Sequence, residues 1–167
     1  MIDIADFSFA RMPEIHFGPG RRSLLPRLIA RYGRNVLLVT GSASFARSPR
    51  YQALTDELAK AGIRIVHCSV SGEPSPDFVD TTVASVRGEE FACVVGIGGG
   101  SALDAGKAIS AMLPLGDSVV PYLECVDSRK HDGRKVPYIA VPTSSGTGAE
   151  ATKNAVLSNI GADGYKS

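Results

Sequence analysis

No run in this sequence stays apolar for the roughly 20 residues that a membrane-crossing helix needs. The first residues, Met1-Ile2-Asp3-Ile4-Ala5-Asp6, are acidic and lack the basic-then-apolar order of a secretory signal. Cysteine is scarce: Cys68, Cys93 and Cys125 are odd in number and far apart. They suit a reducing, cytoplasmic setting, and no CxxC or Cys/His pair has the spacing of a zinc site. Histidine is equally sparse. His16, His67 and His131 fit neither HExxH nor any metal cluster, and they read as structural or solvated residues. Charge is nearly balanced at +1 overall, without the basic excess of a nucleic-acid surface. Arg21, Arg22, Arg27, Arg31 and Arg34 read as a solvated helix face.

What is present describes one globular domain with a proper core: 167 residues, 44% of them hydrophobic, with 18 glycines. Short apolar runs alternate with helical segments. Residues 14–17 (EIHF) read as a short strand that ends at Gly18-Pro19-Gly20. Ser23 is the expected cap of a helix that carries Leu24, Leu25, Leu28 and Ile29, with Pro26 in its first turn. Residues 35–40 (NVLLVT) form an apolar strand. Ser48-Pro49 opens a helix that Gly62 closes, and residues 63–69 (IRIVHCS) return as a strand. Ser75-Pro76 opens a further helix with Phe78, Val79, Val83 and Val86 on one face. Residues 91–97 (FACVVGI) are a strand, Ser101 starts a helix towards Leu113, and residues 136–141 (VPYIAV) are the last strand of the series.

Strands that are apolar throughout are buried on both faces, and their alternation with helices implies a parallel sheet with right-handed crossovers. The expected fold class is therefore α/β, a Rossmann-like doubly wound parallel sheet. Such sheets hold ligands at the carboxyl ends of their strands, here after Thr40, Ser69, Ile97 and Val141. Beyond Glu150 the pattern changes. Residues 153–159 and Tyr165-Lys166-Ser167 flank Ile160-Gly161-Ala162-Asp163-Gly164 as a hairpin. Its second arm stops at the terminus, which reads as a C-terminal β-hairpin cut short and the chain as part of a longer protein.

Two loops carry the chemistry. The first runs Gly96-Ile97-Gly98-Gly99-Gly100-Ser101-Ala102-Leu103-Asp104-Ala105-Gly106-Lys107. Consecutive glycines allow close backbone approach to a ligand, and the helix start that follows offers free N–H groups and a favourable dipole to an anion. Ser101 is the expected N-cap, with Asp104 at capping-box spacing. The P-loop is excluded: five residues separate Gly100 from Gly106, and Ala108 stands where the magnesium-binding hydroxyl belongs. GxGxxG is absent from the loop after the first strand. The second loop is Pro142-Thr143-Ser144-Ser145-Gly146-Thr147-Gly148-Ala149-Glu150, rich in uncharged donors for phosphate or ribose. A third position bears on coenzyme choice. An acidic residue after the first strand would hold the adenosine ribose and repel a 2′-phosphate, but Thr40-Gly41-Ser42 stands there instead, which is compatible with NADP.

Taken with Ile15-His16-Phe17-Gly18-Pro19-Gly20, these motifs resemble the iron-containing alcohol dehydrogenase family, in order and over essentially the whole chain. The resemblance implies an N-terminal NAD(P)-binding domain spanning residues 1–167. The family's all-helical, metal-binding C-terminal domain is not in this chain. It also implies a cofactor site in which Gly98, Gly99, Gly100 and Ser101 cradle the diphosphate and Asp104 lies near the nicotinamide. Thr143, Ser144 and Thr147 would contact adenosine, ribose or phosphate. Asn154 and Lys166 match positions that reach the ribose, and Gly41 and Ser42 occupy the place of the family's usual acidic residue. The implied cofactors are NAD or NADP, with Fe2+ or Zn2+ only in the full-length protein, held by an aspartate and three histidines that none of His16, His67 and His131 matches. The substrate would be a small alcohol or aldehyde, and relatives are often homodimers. A maleylacetate reductase-like enzyme on the same fold and a stand-alone nucleotide-binding module are the alternative readings.

Overall fold

In the computed structural model, described here for residues 12–41, 45–159 and 165–166, the two most apolar runs form the centre of the sheet. Asn35–Gly41 (β1) is buried throughout its interior, and Cys93–Gly98 (β3) is buried at every position. β1 pairs in parallel with Arg64–Val70 (β2) on one side and with β3 on the other, and β3 pairs with Tyr138–Pro142 (β4). The strand order is β2-β1-β3-β4.

Four helices cover both faces. Leu25–Ala30 (α1), entered through a 3-10 turn over Arg21–Leu24, and Pro49–Lys60 (α2) lie on one face. There Leu25, Ile29, Leu54 and Leu58 pack against Val36, Leu38, Val95 and Ile97. Pro76–Ser85 (α3) and Gly100–Met112 (α4) lie on the other. Val79, Val83, Ala102, Ala105 and Ile109 meet Leu37, Val39 and Val94 there. Side chains alternate along a strand, so consecutive residues of β1 feed opposite cores. The expected doubly wound parallel sheet is thus the observed one.

The serine-proline starts of α2 and α3 behave as expected. Ser48 accepts from Tyr51 N at 3.3 Å and Ser75 from Phe78 N at 3.1 Å, with proline in the first turn of each helix.

Several expectations need correction. Residues 12–17 form no strand, and Ile15 and Phe17 are 65% and 93% exposed. Among the described residues no neighbouring strand offers residues 14–17 a ladder, and Glu14 is instead engaged by Arg31 at 2.8 Å. Ser23 caps nothing, because the chain enters α1 through the 3-10 turn and the Ser23 hydroxyl donates back to Gly20 O at 2.9 Å. β2 is not buried on both faces. It is an edge strand with exposed Arg64, His67 and Ser69. Burial raises the thiols of Cys68 and Cys93, to about 11 and about 12, so both stay protonated small hydrophobes. The C-terminal hairpin is present but short: Ser158–Asn159 (β5) pairs antiparallel with Tyr165–Lys166 (β6), and residues 153–157 lie outside the ladder. Its connecting residues, 160–164, fall outside the described set.

Candidate functional site

The chain leaves β1 towards β2 and later returns to add β3 on the other side of β1, so the carboxyl ends of β1 and β3 diverge where the winding reverses. Gly41 and Gly98 end those strands. A Cβ on Gly98 would stand 2.6 Å from Ala102 Cβ and 3.5 Å from Gly41 N, so this corner closes only on glycine.

Beyond Gly98 the helix start differs from expectation. Gly99, not Ser101, is the N-cap of α4, with φ −79° and ψ −172° and no side-chain hydrogen bond. Gly100 already begins the helix, so Ser101 is its second residue and Asp104 lies past the first turn, too far along to complete a capping box. No acidic side chain stands in that first turn. No side chain caps the first turn of α4, whose amides face away from the helix interior.

The second loop stands against the first. Thr143 N donates to Gly98 O at 2.9 Å, which continues the β3–β4 ladder past the strand ends. A Cβ on Gly99 would lie 3.1 Å from Ser144 Oγ, and one on Gly100 would lie 3.2 Å from Thr147 Cγ2. Thr143, Ser144 and Thr147 are themselves exposed. Their hydroxyls supply donors and acceptors beside the open helix start.

Gly41, Gly98, Gly99, Gly100, Ser101, Thr143, Ser144 and Thr147 are thus brought to one corner of the sheet. Asp104 and Asn154 join it indirectly, through Lys107. Lys107 Nζ lies 3.0 Å from Asp104 Oδ1 and donates to Asn154 O at 2.5 Å. Lys166 belongs to β6, and Ser42 lies outside the described residues.

One contributor escapes a motif-based reading. Tyr138 on β4 donates its hydroxyl to Leu103 O at 2.9 Å; its hydroxyl occupies the space that a Cβ on Gly96 would need, and its ring edge, at 2.8 Å, that of a Cβ on Gly106. Burial first, then the nearby Asp104 carboxylate, push its phenol far up, so it stays a neutral donor. The signal was in the sequence: glycine is costly inside a strand or helix, and Gly96 and Gly106 sit in both. What the sequence did not reveal at Thr40, named there beside Gly41, is that it is fully buried at the end of β1 with its Oγ1 2.9 Å from His67 Nε2. His67 as a whole is exposed, but its ring lies 5.1 Å from the Tyr51 ring, and this partial desolvation lowers its pKa. His16 pairs with Glu14, and His131 is bonded to Ala111 O. Among the described residues no group of three or more His, Cys, Asp or Glu side chains could hold a metal ion, and no helix is long and apolar enough to cross a membrane.

Comparison with known proteins matches this arrangement. A family model described as "Iron-containing alcohol dehydrogenase" covers residues 13–166. Long-chain-alcohol dehydrogenase 1 of Geobacillus thermodenitrificans is 33% identical over 147 residues, which is 87% of this chain and 37% of that protein. Probable NADH-dependent butanol dehydrogenase 1 of Bacillus subtilis is 32% identical, over 92% of this chain and 39% of the relative. Among solved structures, NADH-dependent butanol dehydrogenase A of Thermotoga maritima superposes with a TM-score of 0.79 at 30% identity, covering 92% of this chain and 38% of that one. Sulfoacetaldehyde reductase of Bifidobacterium kashiwanohense, solved with NAD+, gives a TM-score of 0.79 at 28% identity over 93% of this chain and 40% of its own. The chain spans about two fifths of the length of these relatives. With a family model spanning nearly the whole described chain, this chain belongs to the iron-containing alcohol dehydrogenase family.

Proposed function

We propose that the chain is the coenzyme-binding domain of a metal-dependent oxidoreductase that interconverts alcohols with aldehydes or ketones, using NAD or NADP. The observation that carries this reading is the uncapped, glycine-lined start of α4 facing the Ser/Thr loop at the sheet's switch point. The amides of residues 99–101 donate to the diphosphate. Ser144 and Thr147 add hydroxyl contacts from the opposite side. Bound there, a nicotinamide dinucleotide supplies the hydride-carrying group. Asp104 lies on the nicotinamide side, and Asn154 and Lys166 lie towards the ribose. Gly41, with no carboxylate in its place, leaves a 2′-phosphate unopposed, so NADPH binds as well as NADH.

The described residues do not fit a metal centre. Iron or zinc, the metal-bearing helical domain and most of the alcohol pocket are assigned to the remainder of the protein, so residues 1–167 alone are expected to turn nothing over. The same reading carries a cytoplasmic setting, a small alcohol or aldehyde substrate and a homodimer. Fluorescence titration of the intact protein with NADH and NADPH tests the coenzyme assignment. Binding of both, weakened about tenfold or more in Gly99→Val, is the expected result. Failure of both to bind refutes the assignment, and strict preference for NADH refutes the argument from Gly41.

A further inference from the structure

Lys107 is charged, and its side chain is only 11% exposed. Its ammonium has three donors and meets three short acceptors: Asp104 Oδ1 at 3.0 Å, Thr152 Oγ1 at 3.0 Å and Asn154 O at 2.5 Å. Thr152 O stands a little further off at 3.4 Å. A cation held this deep persists only when it is fully partnered, so these oxygens and the ammonium fix one another.

The three acceptors come from two parts of the chain. Asp104 is on α4, three residues beyond Ser101 and three before Lys107, so all three share a helix face. Thr152 and Asn154 follow the Ser/Thr loop, where Thr152 N is already tied back to Gly148 O at 3.2 Å. Lys107 therefore joins the helix that presents the open amides to the far end of the loop standing over them. Convergence of oxygens from several directions on one nitrogen suits an ammonium and not a planar guanidinium.

We infer that Lys107 is a positioning residue for coenzyme binding: its ammonium fixes the gap between the start of α4 and the 143–154 loop, and it holds the Asp104 carboxylate in place. This rests on the coenzyme assignment above. Without the pin, the loop is free to drift from the helix start, and the coenzyme itself must order it. The loss then appears in coenzyme affinity and KM more than in kcat at saturating coenzyme.

The test compares the intact wild-type protein with Lys107→Met, Thr152→Val and Thr152→Ser. NADH and NADPH affinity, steady-state kinetics and deuterium uptake of residues 149–157 are measured for each. Lys107→Met is expected to bind coenzyme about tenfold to a hundredfold more weakly, as displacement by an ångström at a positioned site does. Thr152→Val should follow in the same direction by a smaller factor, and Thr152→Ser, which keeps the hydroxyl, should bind as wild type. Deuterium uptake of 149–157 should rise in Lys107→Met and fall again when coenzyme saturates it. Wild-type affinity in both Lys107→Met and Thr152→Val overturns the inference. Should Lys107→Met fail to fold, the contrast between Thr152→Val and Thr152→Ser decides. Should the wild type bind neither coenzyme, the coenzyme assignment falls, and unchanged uptake in Lys107→Met or Thr152→Val removes the pin as well.

Discussion

The two faces of the sheet are packed by different means. Under α1 and α2 the space is filled by long side chains, Leu25, Ile29, Leu54 and Leu58, all buried. Under α4 long side chains, Leu103, Ile109 and Met112, are interleaved with small ones, Ala102, Ala105, Gly106 and Ala108, and at Gly106 the Tyr138 ring takes the space a side chain would need. Long side chains repack when one is shortened, and the backbone need not move. Small residues leave no such slack, and a methyl group added there displaces the helix itself. The face that carries the open helix start is the one on which glycine and alanine interleave with the larger side chains.

The largest expected effect breaks the first face without touching the second. Leu58→Ala should cost about 2–5 kcal/mol of stability in urea titration, while the folded fraction keeps its NADH affinity. Affinity falling in step with stability would abolish the distinction. Next comes Gly96→Ala, whose Cβ would stand 2.2 Å from Tyr138 Oη. It should cost about 1–3 kcal/mol and weaken coenzyme binding as well. In a Tyr138→Phe background the same change should cost less, and strict additivity in that double-mutant cycle would show that the hydroxyl is not the obstacle. Smaller and equal on the two faces are the caps: Ser48→Ala on α2 and Ser75→Ala on α3 should each lose about 1 kcal/mol by thermal unfolding. An unequal pair would mean that the faces differ at helix ends and not only in packing.

The smallest effect concerns His67. Partial desolvation lowers its pKa in the folded chain below the ordinary 6.5, so below that value the unfolded chain takes up a proton that the folded chain resists. Its contribution to stability is therefore complete above pH 6.5 and is lost as pH falls towards the depressed folded value. His67→Gln should flatten the stability profile just below pH 6.5, and an unchanged slope there would show that His67 titrates alike in both states.

Much of this was legible because local chemistry and global fold agree. β1 and β3 are apolar without interruption, as only doubly covered strands are, and each serine-proline pair could only start a helix. β2 was misread although its signal is plain: Arg64, His67 and Ser69 alternate with Ile65, Val66 and Cys68 closely enough to mark an edge. Ser101 was misread as a cap because a serine before an apolar helix usually is one, and only the extended backbone of Gly99 shows that the helix begins earlier. The strand at residues 14–17 failed for another reason, since a strand is defined by a neighbour and spacing says nothing about who that neighbour is. The grouping of Lys107 with Thr152 and Asn154 spans more than forty residues of sequence, and no periodicity connects them.

The bare start of α4 has a consequence for abundance. Helices α2 and α3 bring their own side-chain caps, whereas α4 begins without one. A ligand that binds only the folded chain adds about 2.7 kcal/mol of stability when present at a hundred times its Kd. With the coenzyme bound there as proposed above, the fraction of chains folded at any moment would follow the supply of dinucleotide. On that proposal, a shortage of coenzyme would expose more of the protein to unfolding and degradation.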